Sequence, residues 1–86
     1  MRDMTNRTRY VTDQVLLWIT NDSAEIKNAR WYAEQGAKGL QAYISYVLQK
    51  SRQGEAAWRV ARELAPNDYD RVLWVEVQNE LLSQEM

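Results

Sequence analysis

The chain has 86 residues, no cysteine, no histidine and a net charge of −1. That length makes one small domain, which buries roughly 60% of its unfolded surface and is therefore marginally stable. Without Cys or His it lacks disulfides, thiolate zinc sites and the usual near-neutral acid–base groups, so no catalytic residue, cofactor or metal site is expected and the chain reads as a cytoplasmic non-enzyme.

Residues 1–10 are polar and carry Arg2, Arg7 and Arg9, which reads as a flexible basic N-terminal arm ahead of a helical domain over residues 11–86. The longest apolar run, residues 15–19, falls far short of the ~20 residues of a membrane span. Thr12 can cap a first helix, with Asp13 in its opening turn and Val15, Leu16, Trp18 and Ile19 as its apolar content. A short buried strand over 15–19 competes with that reading, because a continuous apolar run has no period to decide it.

Asp22 and Glu25 have the spacing of a capping box, so a second helix is expected from about Ser23. It runs to Gln35, where Gly36 offers the positive φ that ends helices. Ile26, Ala29 and Ala33 form its small-residue stripe, and Trp31 lies off it. A link over 36–39 leads to the most periodic segment of the chain. Leu40, Tyr43, Ile44, Val47 and Leu48 fall at i, i+3, i+4, i+7 and i+8, which collects them on one face of a helix reaching Arg52. Gly54 breaks the chain again. A fourth helix over 55–65 buries Ala57, Val60, Ala61 and Leu64 and stops at Pro66. The last helix, from Tyr69 to Gln84, buries Trp74, Val77, Leu81 and Leu82. Strand propensity competes over 72–77, although Glu76, Gln78, Asn79 and Glu80 spoil a period of two. The fold expected is all-α, a single domain of four to five helices packed around residues 40–48.

Charge is unevenly placed. Residues 27–62 carry net +5, from Lys27, Arg30, Lys38, Lys50, Arg52, Arg59 and Arg62 against Glu34 and Glu55. Residues 63–86 carry net −5, six acids against Arg71. Such a split describes either two binding faces or helix backs that neutralise each other on folding. Glu76 and Glu80, at i and i+4, supply too few oxygens for a hard-cation site and read as a solvated face.

Two surfaces compete for function. Trp31, Tyr32 and Tyr46 are not absorbed by the core stripes, and aromatics of that kind anchor protein interfaces. With the acidic Asp68, Asp70, Glu76 and Glu80, they outline a partner-binding surface whose carboxylates would meet a basic host surface. The alternative is a small nucleic-acid-binding protein that uses Lys50, Arg52, Arg59 and Arg62 around one inter-helix turn.

Residues 18–22 (Trp-Ile-Thr-Asn-Asp), residues 61–72 (Ala-Arg-Glu-Leu-Ala-Pro-Asn-Asp-Tyr-Asp-Arg-Val) and residues 74–77 (Trp-Val-Glu-Val) together resemble a family of small helical proteins encoded by phages, plasmids and other mobile elements. The resemblance spans about residues 15–82. It departs at Leu73, where a polar capping residue is expected before Trp74. What it implies is an accessory protein that binds and inhibits a host complex, of the anti-CRISPR or anti-restriction type. The partner is then a host protein or complex, and a homodimer stays open.

Overall fold

A computed structural model describes residues 2–83, with side chains from residue 6 onward. The described residues form six helices: α1 (Arg2–Asn21), α2 (Ile26–Gln35), α3 (Ala37–Lys50), α4 (Ala56–Glu63), α5 (Asp68–Arg71) and α6 (Trp74–Ser83). There is no strand among the described residues, so both β alternatives fall. Residues 15–19 lie within α1, and residues 72–77 cross the break before α6 and its first turn. No described helix is long and apolar enough to cross a membrane.

Local signals placed several boundaries. Asp22 Oδ1 accepts from the N–H groups of Ala24 and Glu25, both at 3.1 Å, and its backbone carbonyl accepts from Ile26 at 2.9 Å. Glu25 does not complete the box. Its carboxylate instead accepts from the Tyr43 hydroxyl across the α2–α3 hairpin. Gly36, at φ 127°, is the whole joint between α2 and α3, and Gly54, at φ 99°, turns the chain before α4. A side chain at either position would be strained, because L-residues rarely adopt that φ.

The core is drawn from every helix but the four-residue α5. Val11, Val15 and Ile19 of α1, Ala29 and Ala33 of α2, Leu40, Ile44 and Leu48 of α3, and Val77 and Leu81 of α6 are at most 1% exposed. In α3 the fully buried ridge is the i, i+4, i+8 series, whereas Tyr43 and Val47 are half-buried on its flank. Leu82, expected inside, is exposed. α3 packs against α2, α4 and α6, α1 against α2, α4, α5 and α6, and α2 and α6 against each other, so the organising role expected of α3 is spread over several helices.

Residues 2–10 lie in α1, which runs from Arg2, and from Arg7 onward its polar side chains meet groups from later in the chain. Arg7 pairs with Asp68, Arg9 with Glu76, and the Tyr10 hydroxyl donates to Glu63 at 2.7 Å. The side chain of Arg2 lies outside the described residues. Thr12 is accordingly not a cap of its own helix but sits buried within it.

The last helix is also two helices. Val72, at ψ 136°, breaks it after Arg71, and Leu73 becomes the residue before α6, its carbonyl accepting the first helical bond from Val77 at 3.0 Å. Leu73 has no side-chain acceptor of its own. The hydroxyl of Thr12 does not replace that cap; it accepts the N–H of Leu73 itself, at 3.0 Å from 61 residues away, and so satisfies the backbone at the break before α6. Thr12→Val keeps the shape and removes the acceptor, and should lower stability by about 1–2 kcal/mol. Urea denaturation measures this, and an unchanged midpoint would mean that water replaces the hydroxyl without loss.

Candidate functional site

The α2–α3 hairpin gathers the aromatic residues that the core stripes left out. The Trp31 indole is 56% exposed and meets Tyr32 edge-on, with ring centroids 4.9 Å apart. Tyr32 is half-buried and stacks on Tyr43 at 4.4 Å and 12°. Tyr46, one turn further along α3, is 61% exposed, and the Lys50 ammonium lies 5.8 Å from its ring centroid. Trp31, Tyr32 and Tyr43 thus form a row of three touching rings across two helices, with Tyr46 exposed one turn further along α3. Burial, then the hydrogen bond to the Glu25 carboxylate, pushes the Tyr43 phenol well above its ordinary pKa, so it stays protonated and keeps the hairpin tied.

Two hollows flank this row. Lys27, Arg30, Trp31 and Glu34 line a shallow groove of about 270 Å³ on α2. Arg30 is held there by donating to the Leu81 carbonyl at 3.3 Å, near the end of α6. A larger open hollow of about 520 Å³ lies where the start of α2, the end of α3 and the start of α4 meet, with Tyr46, Val47 and Lys50 on one wall and Glu55, Ala56 and Ala57 on another.

The acidic half of the expected surface does not assemble. Asp68 is fully buried. Its carboxylate accepts from Arg7 at 2.5 and 3.3 Å, from Arg71 at 2.8 Å and from the Ala65 N–H at 2.7 Å. The Arg7 hydrogen bonds, helped by the Ala65 N–H and Arg71, outweigh burial and hold this carboxyl well below the usual Asp range. Arg7 also donates to the Glu63 carbonyl at 2.7 Å, which joins α1 to the end of α4. Glu76 is paired with Arg9, whose hydrogen bond lowers its pKa. Asp70 accepts from Gln41 Nε2 at 3.1 Å. Asp68 and Glu76 are thus tied to α1, while Asp70 and Glu80 are exposed, on α5 and α6. Among the described residues no three Asp or Glu side chains gather as a metal site.

The basic set spans the end of α3, the loop after it and α4. Lys50 covers Tyr46, Arg52 occupies the loop after α3, Arg59 is exposed on α4, and the Arg62 guanidinium lies 4.8 Å from the Trp58 ring centroid. Sequence reasoning missed the Tyr32–Tyr43 stack, although each residue sits at the edge of its helix's apolar stripe. It also passed over Leu17 and Val75, which are 63% and 61% exposed. Compared with known proteins, the chain matches no family model, no curated protein and no solved structure.

Proposed function

We propose that this protein is a non-enzymatic binding module that occupies a surface of a larger protein or protein complex through the aromatic row of the α2–α3 hairpin. The observation that carries the reading is the Trp31 indole, more than half exposed beside a groove and braced edge-on by Tyr32. A braced indole loses little freedom on binding and offers a large apolar area, the combination found at interface hot spots. An inhibitor of a host complex, as the mobile-element resemblance implies, would work by covering a site in this way.

Trp31→Ala tests the reading. Hot-spot aromatics cost about 2 kcal/mol or more on truncation, roughly 30-fold in affinity. Because the side chain is largely outside the core, the melting curve should barely move. A host-lysate pull-down with wild type supplies the partner, whose affinity for Trp31→Ala should fall about 30-fold, and for Glu80→Ala only slightly, since single rim charges act mainly on association rate. Equal losses for the two variants would reject Trp31 as the anchor. Sedimentation of the protein alone shows whether that partner is a second copy.

Nucleic-acid binding through Lys50, Arg52, Arg59 and Arg62 is the second reading. Single strands are held on open aromatic faces. Here Tyr32 and Tyr43 cover each other and Arg62 lies over Trp58, which leaves Trp31 and Tyr46 as the open rings.

A further inference from the structure

We infer that the hollow where α2, α3 and α4 meet receives an arginine side chain of the protein partner, its guanidinium stacked on the Tyr46 ring and facing the carboxylates of Asp22, Glu25 and Glu55. This rests on the proposed protein-binding role and adds a contact separate from the one Trp31 makes.

At about 520 Å³ the hollow is large enough for a long side chain, and its lining is mixed. Val47, Ala56 and Ala57 supply apolar wall, and Tyr46, 61% exposed, supplies an aromatic ring. Its charged groups are three carboxylates and one ammonium, that of Lys50. Folding does not neutralise those carboxylates. Asp22 accepts from the Trp18 indole N–H at 3.0 Å and from the N–H groups of Ala24 and Glu25, Glu25 from the Tyr43 hydroxyl, and Glu55 from the Arg52 N–H at 2.7 Å. Every one of these donors is uncharged, and none of the three acids is ion-paired with a described residue. The bonds hold the acids in place and leave their charge to a cation from outside. Asp68 and Glu76 differ in just this respect, because arginines of the chain itself already pair with them. The sign of the hollow also departs from its sequence neighbourhood. Lys50 and Glu55 belong to a stretch of net +5, but Asp22 and Glu25 reach the hollow from the turn before that stretch.

Arginine suits this lining better than the other occupants. Its guanidinium can lay its plane on a tyrosine ring while the N–H groups at its edge reach carboxylates, and its stem is apolar. A lysine offers a compact charge without that plane. A leucine would cover the apolar wall but take carboxylates out of water with no counter-charge. Phosphates and acidic side chains would meet three like charges against one lysine. That lysine is the built-in competitor. The Lys50 ammonium lies 5.8 Å from the Tyr46 centroid, and since its side chain is exposed and flexible it can swing into solvent when a guanidinium arrives. Beside the apolar wall, where water is partly excluded, each charge-assisted hydrogen bond is stronger than in bulk solvent.

The test uses four capped peptides of one length, with arginine, citrulline, leucine or glutamate at the centre of a glycine-serine frame, and an oligothymidylate as the nucleic-acid arm. Binding to the ¹⁵N-labelled full chain is followed at the Ala56 and Ala57 amide resonances, with the Trp31 indole N–H as a probe outside the hollow. The arginine peptide should shift the two amides and leave the indole in place. At low salt it should bind about tenfold more tightly than the citrulline peptide, which keeps the planar shape without the charge, and the gap should close as screening shortens the Debye length. Glu55→Gln, at an exposed loop position, should narrow the gap about threefold, and Lys50→Gln should widen it by about as much. Equal binding of the arginine and citrulline peptides, or a gap that neither substitution moves, would overturn the inference. So would tighter binding at the two amides by the leucine peptide, in favour of an apolar occupant, or by the glutamate peptide or oligothymidylate, in favour of an anion. Amides that no ligand shifts at millimolar concentration would show that the hollow is not a docking site. None of these results touches the role of Trp31, which stands or falls on the partner affinity of Trp31→Ala.

Discussion

Asp68→Ala should lower stability by about 3 kcal/mol, because removing one member of a buried ion pair leaves its partners without their counter-charge. The value belongs at the low end of the usual range, since Arg7 and Arg71 are 38% and 28% exposed and can recover some hydration, whereas Asp68 is 1% exposed. Against a total of about 4–13 kcal/mol for a chain of this length, that is a large fraction. With a urea dependence near 1 kcal/mol per molar, the midpoint should fall by about 3 M. The same carboxylate sets an acid limit. Its folded pKa is depressed below the unfolded value, so its stabilisation is complete above roughly pH 5 and is lost as pH falls through about 3.9 and below. Glu76 adds a smaller contribution of the same sign, being 42% exposed. Wild type should therefore lose urea resistance between pH 6 and pH 3, and Asp68→Ala should lose much less over that range. Parallel losses would show that the Arg7–Asp68–Arg71 cluster does not govern the acid limit.

That cluster also marks where the sequence stops being legible. Asp22 was readable as a cap, Gly36 and Gly54 as joints and Leu40, Ile44 and Leu48 as a buried ridge, because each depends on neighbours three or four residues away. Arg7 and Asp68 are 61 residues apart, Arg9 and Glu76 67, and Thr12 and the Leu73 amide 61. No local pattern announces such pairs. The extent of α1 therefore could not be read from its own residues: its polar first turns look like a solvated arm until the carboxylates that hold them arrive from α5 and α6. The missing cap at Leu73 was visible as an absence, but the hydrogen bond from its N–H to Thr12 was not.

The candidate site divides along the same line. Trp31 and Tyr46 stood out by subtraction, since helical geometry puts them off the apolar stripes, and both are exposed. The acidic set was chosen by composition, which says how many carboxylates a segment holds and nothing about what they touch. Asp68 and Glu76 turn out to be ion-paired with α1, and Asp70 accepts a hydrogen bond from Gln41.

Ile44→Asp should leave the chain unfolded at neutral pH, while Val47→Asp should leave it folded. The sequence makes the two positions equivalent, both apolar and both on the α3 stripe. The structure separates them. Ile44 has no exposed surface, so an aspartate there would be an unpaired charge in the core at a cost of several kcal/mol, enough with the lost apolar burial to exhaust the stability of so small a domain. Val47 is half-buried on the wall of the open hollow, so a carboxylate there keeps water, and Lys50 on the same wall offsets part of the charge of Asp22, Glu25 and Glu55 around it. Its loss is the valine's partial burial, about 1–2 kcal/mol. Circular dichroism gives the answer directly: a helical, cooperatively melting Val47→Asp protein beside a disordered Ile44→Asp protein is the expected pair. Two unfolded proteins would mean that the 520 Å³ hollow beside Tyr46 is closed in solution, and two folded ones would place Ile44 outside the core and overturn the packing of α3.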